Sequence, residues 1–481
     1  MTNGFRSIGG LALSLWLTLL AAPPLFGAQA ASDPEPDAWI PPDLSSTLRV
    51  KAAFNGAEIL WRFEWPATTA HFVHDVLVHE GGTWVARGDA GGGPDPDGLR
   101  EDRISFMIDA GEVPGFANQG CYVTCHAGLP SMADELGADT VRRAMGEAWA
   151  HSDLAKYLAS SRIADRWWEA PWDRVRPPSE LEALARSGVF LDLWHWRAGR
   201  SNPVGFSDDQ YVLEYRNNDG PAGPYSTNWD AAESRPLMMF DSVVVGVHAL
   251  RWDRLMAGEV TQDEPHFLAS DRMVPFDPDR PWEDGDVIPR RILRVPEGSR
   301  GDIRAEGRWT SGTWTVQLRR AMDTGRATTD HSLLEGRTYH VAFAIHSQAT
   351  SARWHRVSLP VHLGIGTPAE LTAFRFEGDT PDWDEAEWLS IPIYYPAQVT
   401  WEWLTSDTHP GAPGVRADDR SCQSCHGADP PSALKLAQAS VYQERRLQGP
   451  RVDGGLALAS VVLLLLGGTV ASLRIAHRGR D

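Results

Sequence analysis

The sequence predicts a mainly β fold, a β-sandwich or open barrel with helical insertions, followed by a single transmembrane helix at the C-terminus. Short segments of alternating apolar and polar residues recur along the chain, separated by Gly- and Pro-containing turns. The 21 tryptophans supply the large aromatic side chains that commonly fill β cores. Residues 454–473 carry no charge, and about 20 such residues are needed to cross the hydrocarbon layer.

The sequence predicts five strands and two helices between residues 48 and 188. Gly81 and Gly82 separate two strands and predict a hairpin. Residues 138–160 have apolar positions near helical spacing, and a second helix begins at 177–180 and ends at Ser187 and Gly188. The five predicted strands are 48–52, 59–65, 71–78, 83–86 and 103–108.

The second half returns to strands. Gly312 lies between two Thr- and Trp-containing runs and predicts another hairpin. Residues 402–421 form a polar loop, and 430–447 predict a helix leading towards the membrane segment. The predicted strands are 189–196, 242–247, 308–318, 339–345 and 357–363.

The two ends of the chain predict export and anchoring. Arg6, the apolar run 8–20 and Ala28-Gln29-Ala30 have the order of a secretory signal peptide, so we expect residues 1–30 to be removed. The alternative is an uncleaved anchor helix, although the apolar run is short for a span. Arginines follow the 454–473 helix at once, so the tail 474–481 should be cytoplasmic. The large domain would then lie in the periplasm, on the outer face of the cytoplasmic membrane.

Composition excludes several functions. The formal net charge is −19, which argues against a nucleic-acid partner because phosphate contacts require Lys and Arg. No Walker loop, serine nucleophile elbow or H-E-x-x-H pair is present. Gly364-Ile365-Gly366 lacks the third glycine of a dinucleotide fingerprint, so no nucleotide cofactor is expected. An acidic exported surface instead favours a partner protein with a basic docking patch.

The four cysteines form two pairs, each followed by a histidine. Cys422, Cys425 and His426 form C-x-x-C-H, the attachment motif of c-type haem, in which the thiols bind the porphyrin vinyl groups and the histidine binds the iron. The other pair, Cys121 and Cys125, precedes His126 in a C-x-x-x-C-H arrangement that is one residue longer. We therefore predict two covalently attached haems.

Two alternatives remain for these cysteines. A structural zinc site would require four converging ligands, whereas the two pairs are about 300 residues apart in sequence. Two short disulfides suit an exported protein but leave both histidines unexplained.

Each haem iron has room for a second axial ligand, which His or Met can supply. His195 is the first candidate, because it lies in the apolar strand Asp192-Leu193-Trp194-His195-Trp196, where its ring must find a partner. His409 precedes Cys422 by 13 residues and is the candidate for the second haem. Other candidates are His71, His74, Met107, Met238, Met239, His248, His340, His346 and His355.

The segment FLDLWHWRAGRSNPVGFSDDQ, residues 190–210, resembles the haem-binding domain of the ethylbenzene dehydrogenase type. Weaker similarity at 102–107, 307–316 and 355–360 extends the resemblance over roughly 45–400. The resemblance implies a β-sandwich-like fold with haem in a pocket, as in the haem subunits that partner molybdenum enzymes. Those subunits hold a noncovalent haem through Met and Lys. This chain departs from them, because its cysteines imply covalent attachment and it has only three lysines.

These observations give one predicted organisation. A signal peptide (1–30) precedes a haem-binding domain with the first haem (45–400), a segment with the second haem (401–450), the membrane helix (454–473) and the tail (474–481). The predicted function is electron transfer with a periplasmic redox partner, either a molybdoenzyme or a quinol-linked complex. The alternative is a two-haem oxidoreductase whose open iron acts on a small substrate. A haem sensor is disfavoured, because the short tail has no output domain.

Overall fold

The computed structural model describes residues 46–88, 99–124, 138–146, 149, 151, 154, 156–163, 172–347 and 355–394. The predicted signal peptide, second haem segment and membrane helix lie outside these residues. No helix within the described ranges is long and apolar enough to span a membrane.

The described residues form a mainly β body, as predicted. The strands in its first half are β1 (Ser46–Phe54), β2 (Glu58–Pro66), β3 (Asp75–Glu80), β4 (Thr83–Gly88), β5 (Arg103–Asp109), β6 (Leu191–Arg197), β7 (Asp208–Val212), β8 (Arg216–Asn218), β9 (Pro221–Ala222), β10 (Tyr225–Thr227), β11 (Met238–Phe240) and β12 (Leu250–Arg251). Those in its second half are β13 (Met273–Pro275), β14 (Asp286–Pro289), β15 (Arg291–Leu293), β16 (Glu297–Gly298), β17 (Arg304–Thr310), β18 (Thr313–Ala321), β19 (Thr338–His346), β20 (Arg356–Val357), β21 (Val361–Ile365), β22 (Leu371–Arg375) and β23 (Leu389–Ile393).

Short helices connect these strands. The α-helices are α1 (Phe116–Gln119), α2 (Ala138–Met145), α3 (Pro178–Arg186), α4 (Ser242–Val245) and α5 (Trp252–Met256). A 3₁₀ turn, Gly120–Thr124, follows α1 directly and carries the first cysteine.

Most of the body is one thirteen-stranded sheet in the order β17-β18-β2-β1-β22-β21-β19-β5-β6-β7-β8, with β20 beside β19 and β23 beside β1. Its pairs are antiparallel except where β22 runs parallel to β1 and β21. The sheet folds over, so that Trp61 on β2 meets Phe106 on β5 with ring centroids 4.9 Å apart. One sheet thus supplies both walls of its main core.

The main core is built from tryptophans. Trp61, Trp65, Trp194, Trp196 and Trp314 are almost completely buried between the two halves of the sheet. Truncating such a ring to alanine typically costs about 3–5 kcal/mol, so these residues account for much of the stability of the fold.

Strands β5, β6 and β19 are buried on both faces. Because successive residues of a strand alternate, Phe106 and Trp194 face the main core while Met107 and Leu193 face the opposite side. The Gly120–Thr124 turn covers that opposite face. A Cβ on Gly120 would lie 2.9 Å from the Cβ of Ala342, and φ is 57° there, so glycine permits the close approach. We call this side of the sheet the cysteine face.

The prediction of a strand at 242–247 was wrong, because the structure forms α4 there. The Asp241 carboxylate accepts a hydrogen bond from the Val243 backbone N–H at 2.9 Å, which caps the helix. Gly246, with φ of 83°, ends it. Local capping therefore overrides the strand preference of three consecutive valines.

One predicted helix and one predicted strand differ in extent from the structure, and the two predicted hairpins are confirmed. The helix predicted at 138–160 ends at Met145, and only a short 3₁₀ turn, Ala159–Ser161, follows within the described residues. The strand predicted at 357–363 is split into β20 and β21. Both predicted hairpins, at Gly81-Gly82 and at Gly312, are present as β3–β4 and β17–β18.

Candidate functional site

His195 lies in the middle of β6, on the cysteine face. It pairs with Ser105 on β5 and with Asp208 on β7, so its imidazole stands within a continuous sheet. The residue is only 4% exposed. Such burial requires a partner for each polar atom of the ring.

One ring nitrogen of His195 is oriented by its neighbours. Nδ1 lies 3.1 Å from the Gln210 side-chain oxygen and 2.9 Å from Nη2 of Arg197. The first contact requires a protonated Nδ1 and the second an unprotonated one, so a single tautomer satisfies only one of them. The Gln210 amide nitrogen donates to Asn218, which turns its oxygen towards the imidazole. The Gln210 contact favours the tautomer that leaves a lone pair on Nε2, whereas the Arg197 contact favours the tautomer that carries a proton there.

The other ring nitrogen is available. Nε2 of His195 is buried and has no hydrogen-bond partner among the described residues. Burial lowers the pKa of the imidazole well below its usual value, and the nearby guanidinium groups of Arg197 and Arg103 lower it further. A neutral imidazole with an unshared Nε2 lone pair is the form that binds a metal.

Two further buried histidines extend from His195. The rings of His195 and His346 lie 6.5 Å apart between centroids, and those of His346 and His355 lie 4.4 Å apart, in both cases with a 22° angle between planes. His346 is aligned with Arg103 across the β19–β5 pair. The structure thus brings three of the candidate histidines together on the cysteine face.

Arginines surround this histidine row. Arg103 and Arg197 are directly paired across β5 and β6, and both are nearly buried. Arg197 is neutralised by Asp208 at 2.6 Å. Burial lowers the pKa of Arg103 to about 9. The positive charges of Arg200 and Arg197 also lower this pKa, and the carboxylate of Glu101 offsets only part of the effect. The site therefore holds surplus positive charge and favours an anionic group.

Cys121 is buried on the same face of the sheet. It is 5% exposed and packs in an apolar cluster that includes Met107, Leu193 and Ala342. Leu193 lies two residues before His195 on β6 and points to the same side. The structure thus brings the first predicted attachment cysteine and the predicted distal histidine onto one face.

The Gly120–Thr124 turn has neighbours that sequence reasoning did not select. The Thr124 hydroxyl donates to the Cys121 carbonyl at 2.8 Å, and the Lys156 ammonium donates to that hydroxyl at 3.2 Å. Met107, one of the many candidate ligands, belongs to the cluster around Cys121.

The remaining predicted site residues lie outside the described residues. These are Cys125, His126, His409, Cys422, Cys425 and His426. Their roles as attachment and axial residues stay predictions.

A second concave region contains another candidate ligand. A half-open groove of about 610 Å³ is lined by apolar and polar side chains, which include His71, Asp263 and Arg308. Nε2 of His71 already lies 3.0 Å from the Thr69 hydroxyl. His195 is therefore a better candidate ligand than His71, because it is more deeply buried and its Nε2 has no hydrogen-bond partner among the described residues.

Sequence reasoning missed Arg103, Arg197 and Gln210. A usable signal exists, because Arg197 follows His195 at the two-residue spacing that places both side chains on one face of a strand. The cross-strand partners Arg103 and Gln210 required the register, which the sequence does not give.

Comparison with known proteins gives two matches. A family model described as ethylbenzene dehydrogenase matches residues 34–358. The cytochrome c-552 of Stutzerimonas stutzeri is 36% identical over 90 residues, which make up 19% of this chain and 29% of that protein. The chain thus aligns with less than a third of the length of this curated relative.

Proposed function

This chain belongs to the ethylbenzene dehydrogenase family, and on that basis we propose that it is a two-haem c-type cytochrome that transfers electrons outside the cytoplasm. The family and the similarity to a cytochrome c support a haem or electron-transfer role. The finer proposal adds covalent attachment at both cysteine pairs, an exported body and a C-terminal membrane anchor.

The unshared Nε2 of buried His195 is the observation that carries the proposal. A buried imidazole nitrogen without a partner among the described residues is costly unless a further group, such as a bound metal, satisfies it. Cys121 and Cys125 would hold the first haem, with His126 and His195 as its axial ligands. Arg103 suits a propionate of this haem, because Arg103 and Arg200 share the one carboxylate of Glu101 and leave positive charge on the same face.

The bound haem would supply a one-electron Fe(III)/Fe(II) couple. The chain's own residues would tune that couple. In the tautomer that leaves Nε2 free for a ligand, Gln210 accepts the Nδ1 proton of His195, which would fix the ring and increase the basicity of Nε2. Surplus guanidinium charge disfavours the oxidised iron and so raises the reduction potential. The apolar side chains around Cys121 exclude water.

The second haem would be attached at Cys422 and Cys425 with His426 proximal and His409 distal. Both haems would exchange electrons with a periplasmic redox protein, which we propose to be a molybdoenzyme or a quinol-linked membrane complex. The net charge of −19 supports a partner with a basic docking patch.

A haem count and a spin-state measurement test the proposal. We expect the denatured mass of the purified protein to include two haems, and a Cys121→Ala, Cys125→Ala double variant to retain one. We expect His195→Ala to convert one haem from low spin to high spin, while the matched control His71→Ala leaves the spectrum unchanged. A single haem in the wild type, or an unchanged spectrum in His195→Ala, would contradict the assignment. A high-spin haem in the wild type would favour the alternative enzyme with an open iron.

The role of Gln210 has its own test. Gln210→Leu removes the acceptor for Nδ1–H, so the reduction potential of one haem should rise while Gln210→Glu should lower it. Redox titration followed by optical absorbance measures both. If both variants shifted the potential in the same direction, Gln210 would act only through packing.

A further inference from the structure

Three buried carboxylates converge on the side of β6 and β7 opposite His195. Asp209 lies on β7, Asp219 directly follows β8, and Asp330 lies in the connection between β18 and β19. One carboxylate oxygen from each residue lies within 4.8 Å of the others. The cluster therefore joins three segments that are distant in sequence.

Neighbouring hydrogen bonds satisfy only part of this cluster. Arg320 contacts Asp209 at 3.3 Å, but its shorter contacts, 2.7 and 3.1 Å, go to both oxygens of Asp192. Asp219 accepts the Ser299 hydroxyl on one oxygen at 2.7 Å. Asp330 accepts hydroxyl hydrogen bonds on both oxygens.

Two oxygens are left over. Oδ1 of Asp209 and Oδ1 of Asp219 are buried and have no hydrogen-bond partner among the described residues. Asp209 is fully buried and Asp219 is 4% exposed. A buried carboxylate oxygen without a hydrogen-bond donor or a cation costs several kcal/mol. A bound cation would therefore stabilise the Oδ1 atoms of both Asp209 and Asp219.

The local charge balance is strongly negative. Asp192, Asp209 and Asp330 lie within 3.9 Å of the single guanidinium of Arg320, and the Asp219 carboxylate adds a further negative charge beside those of Asp209 and Asp330. Arg300, which follows Ser299 in sequence, is held by Asp208 at 2.6 Å on the cysteine face.

We propose that Asp209, Asp219 and Asp330 bind one hard divalent cation, Ca²⁺, as a structural site. The donor set consists of oxygens alone, which favours Ca²⁺ or Mg²⁺ over zinc or copper. Ca²⁺ tolerates irregular geometry and several direct carboxylates, whereas Mg²⁺ demands a near-octahedral shell that keeps its waters. The cation would bind together β7, the end of β8 and the β18–β19 connection.

Calcium binding to the full-length protein with its cofactors tests the site. After treatment with a chelator and its removal, CaCl₂ titration by calorimetry should give one tight site per chain. Asp219→Asn and Asp330→Asn keep the side-chain shape but remove a charge, so each should weaken binding at least tenfold. Asp279→Asn changes a carboxylate on an exposed loop and should bind as the wild type does.

A second measurement keeps the test decisive if a variant does not fold. In the wild type, the thermal unfolding midpoint should rise with the Ca²⁺ concentration and should rise less with the same concentration of MgCl₂. No saturable Ca²⁺ binding at millimolar concentrations, or unchanged affinity in folded Asp219→Asn and Asp330→Asn, would overturn the proposal. An unfolding midpoint independent of Ca²⁺ would overturn it as well.

Discussion

Protonation of His266 should destabilise the fold in mild acid. This imidazole is 8% exposed, lies against the Phe72 ring at 4.6 Å between centroids, and has Nδ1 2.9 Å from the Glu264 carbonyl oxygen. Burial lowers its pKa to about 4, and Arg272 contributes, although the hydrogen bond to Glu264 acts in the opposite direction. The folded protein therefore holds the neutral ring.

The sign and size of the effect follow from the two pKa values. In the unfolded chain the group titrates near its ordinary value of 6.5. Because the folded pKa is lowered, the stabilisation is complete above pH 6.5 and is lost as the pH falls towards 4. The loss from this one group amounts to about 2 kcal/mol by pH 5 and about 3 kcal/mol by pH 4.

Urea unfolding of wild type and His266→Gln at pH 7, 5 and 4 measures the effect. Glutamine can still donate to the Glu264 carbonyl but does not titrate in this range. The other buried histidines titrate equally in both proteins, so the difference between the two pH profiles isolates His266. If the free energies of unfolding of the two proteins changed in parallel from pH 7 to pH 4, the inferred pKa would be wrong.

Three other substitutions follow from the packing, and urea unfolding measures each. Arg320→Met should lower the free energy of unfolding by about 3–5 kcal/mol, because it leaves the buried Asp192 carboxylate without its cation. Gly307→Ala should lower it by about 1–3 kcal/mol, because the new Cβ would lie 2.2 Å from the Trp196 ring. Val243→Ser should change it by no more than about 0.5 kcal/mol, because Val243 is 93% exposed.

The strands were predictable where local pattern and local structure agree. Alternation located β1, β2 and β5, and paired glycines located the β3–β4 turn, because period and turn chemistry are local properties. The order of strands was not predictable. The pairing of β1 with β22, about 320 residues later in the chain, depends on long-range packing that leaves no periodic signal.

In the candidate site, too, some features were predictable from the sequence and others were not. His195 was predictable, because a lone imidazole in an apolar strand conflicts with its surroundings. Its orientation by Gln210 was not predictable, because the contact depends on the register of β6 against β7. The carboxylate cluster was invisible for the same reason, since Asp330 is more than 100 residues from Asp209 in sequence.

The two proposed ligand sites have a common structural origin in the alternation of β6 and β7. His195 and Arg197 face one side of the sheet with surplus positive charge, while Asp192 and Asp209 face the other with surplus negative charge. Because adjacent residues of a strand point to opposite sides, Arg197 cannot turn to neutralise Asp209 without breaking the register. The polypeptide therefore leaves opposite charges separated by one layer of sheet. An anionic group bound on the cysteine face and a cation bound on the opposite side would each neutralise charge that the side chains of the sheet cannot neutralise.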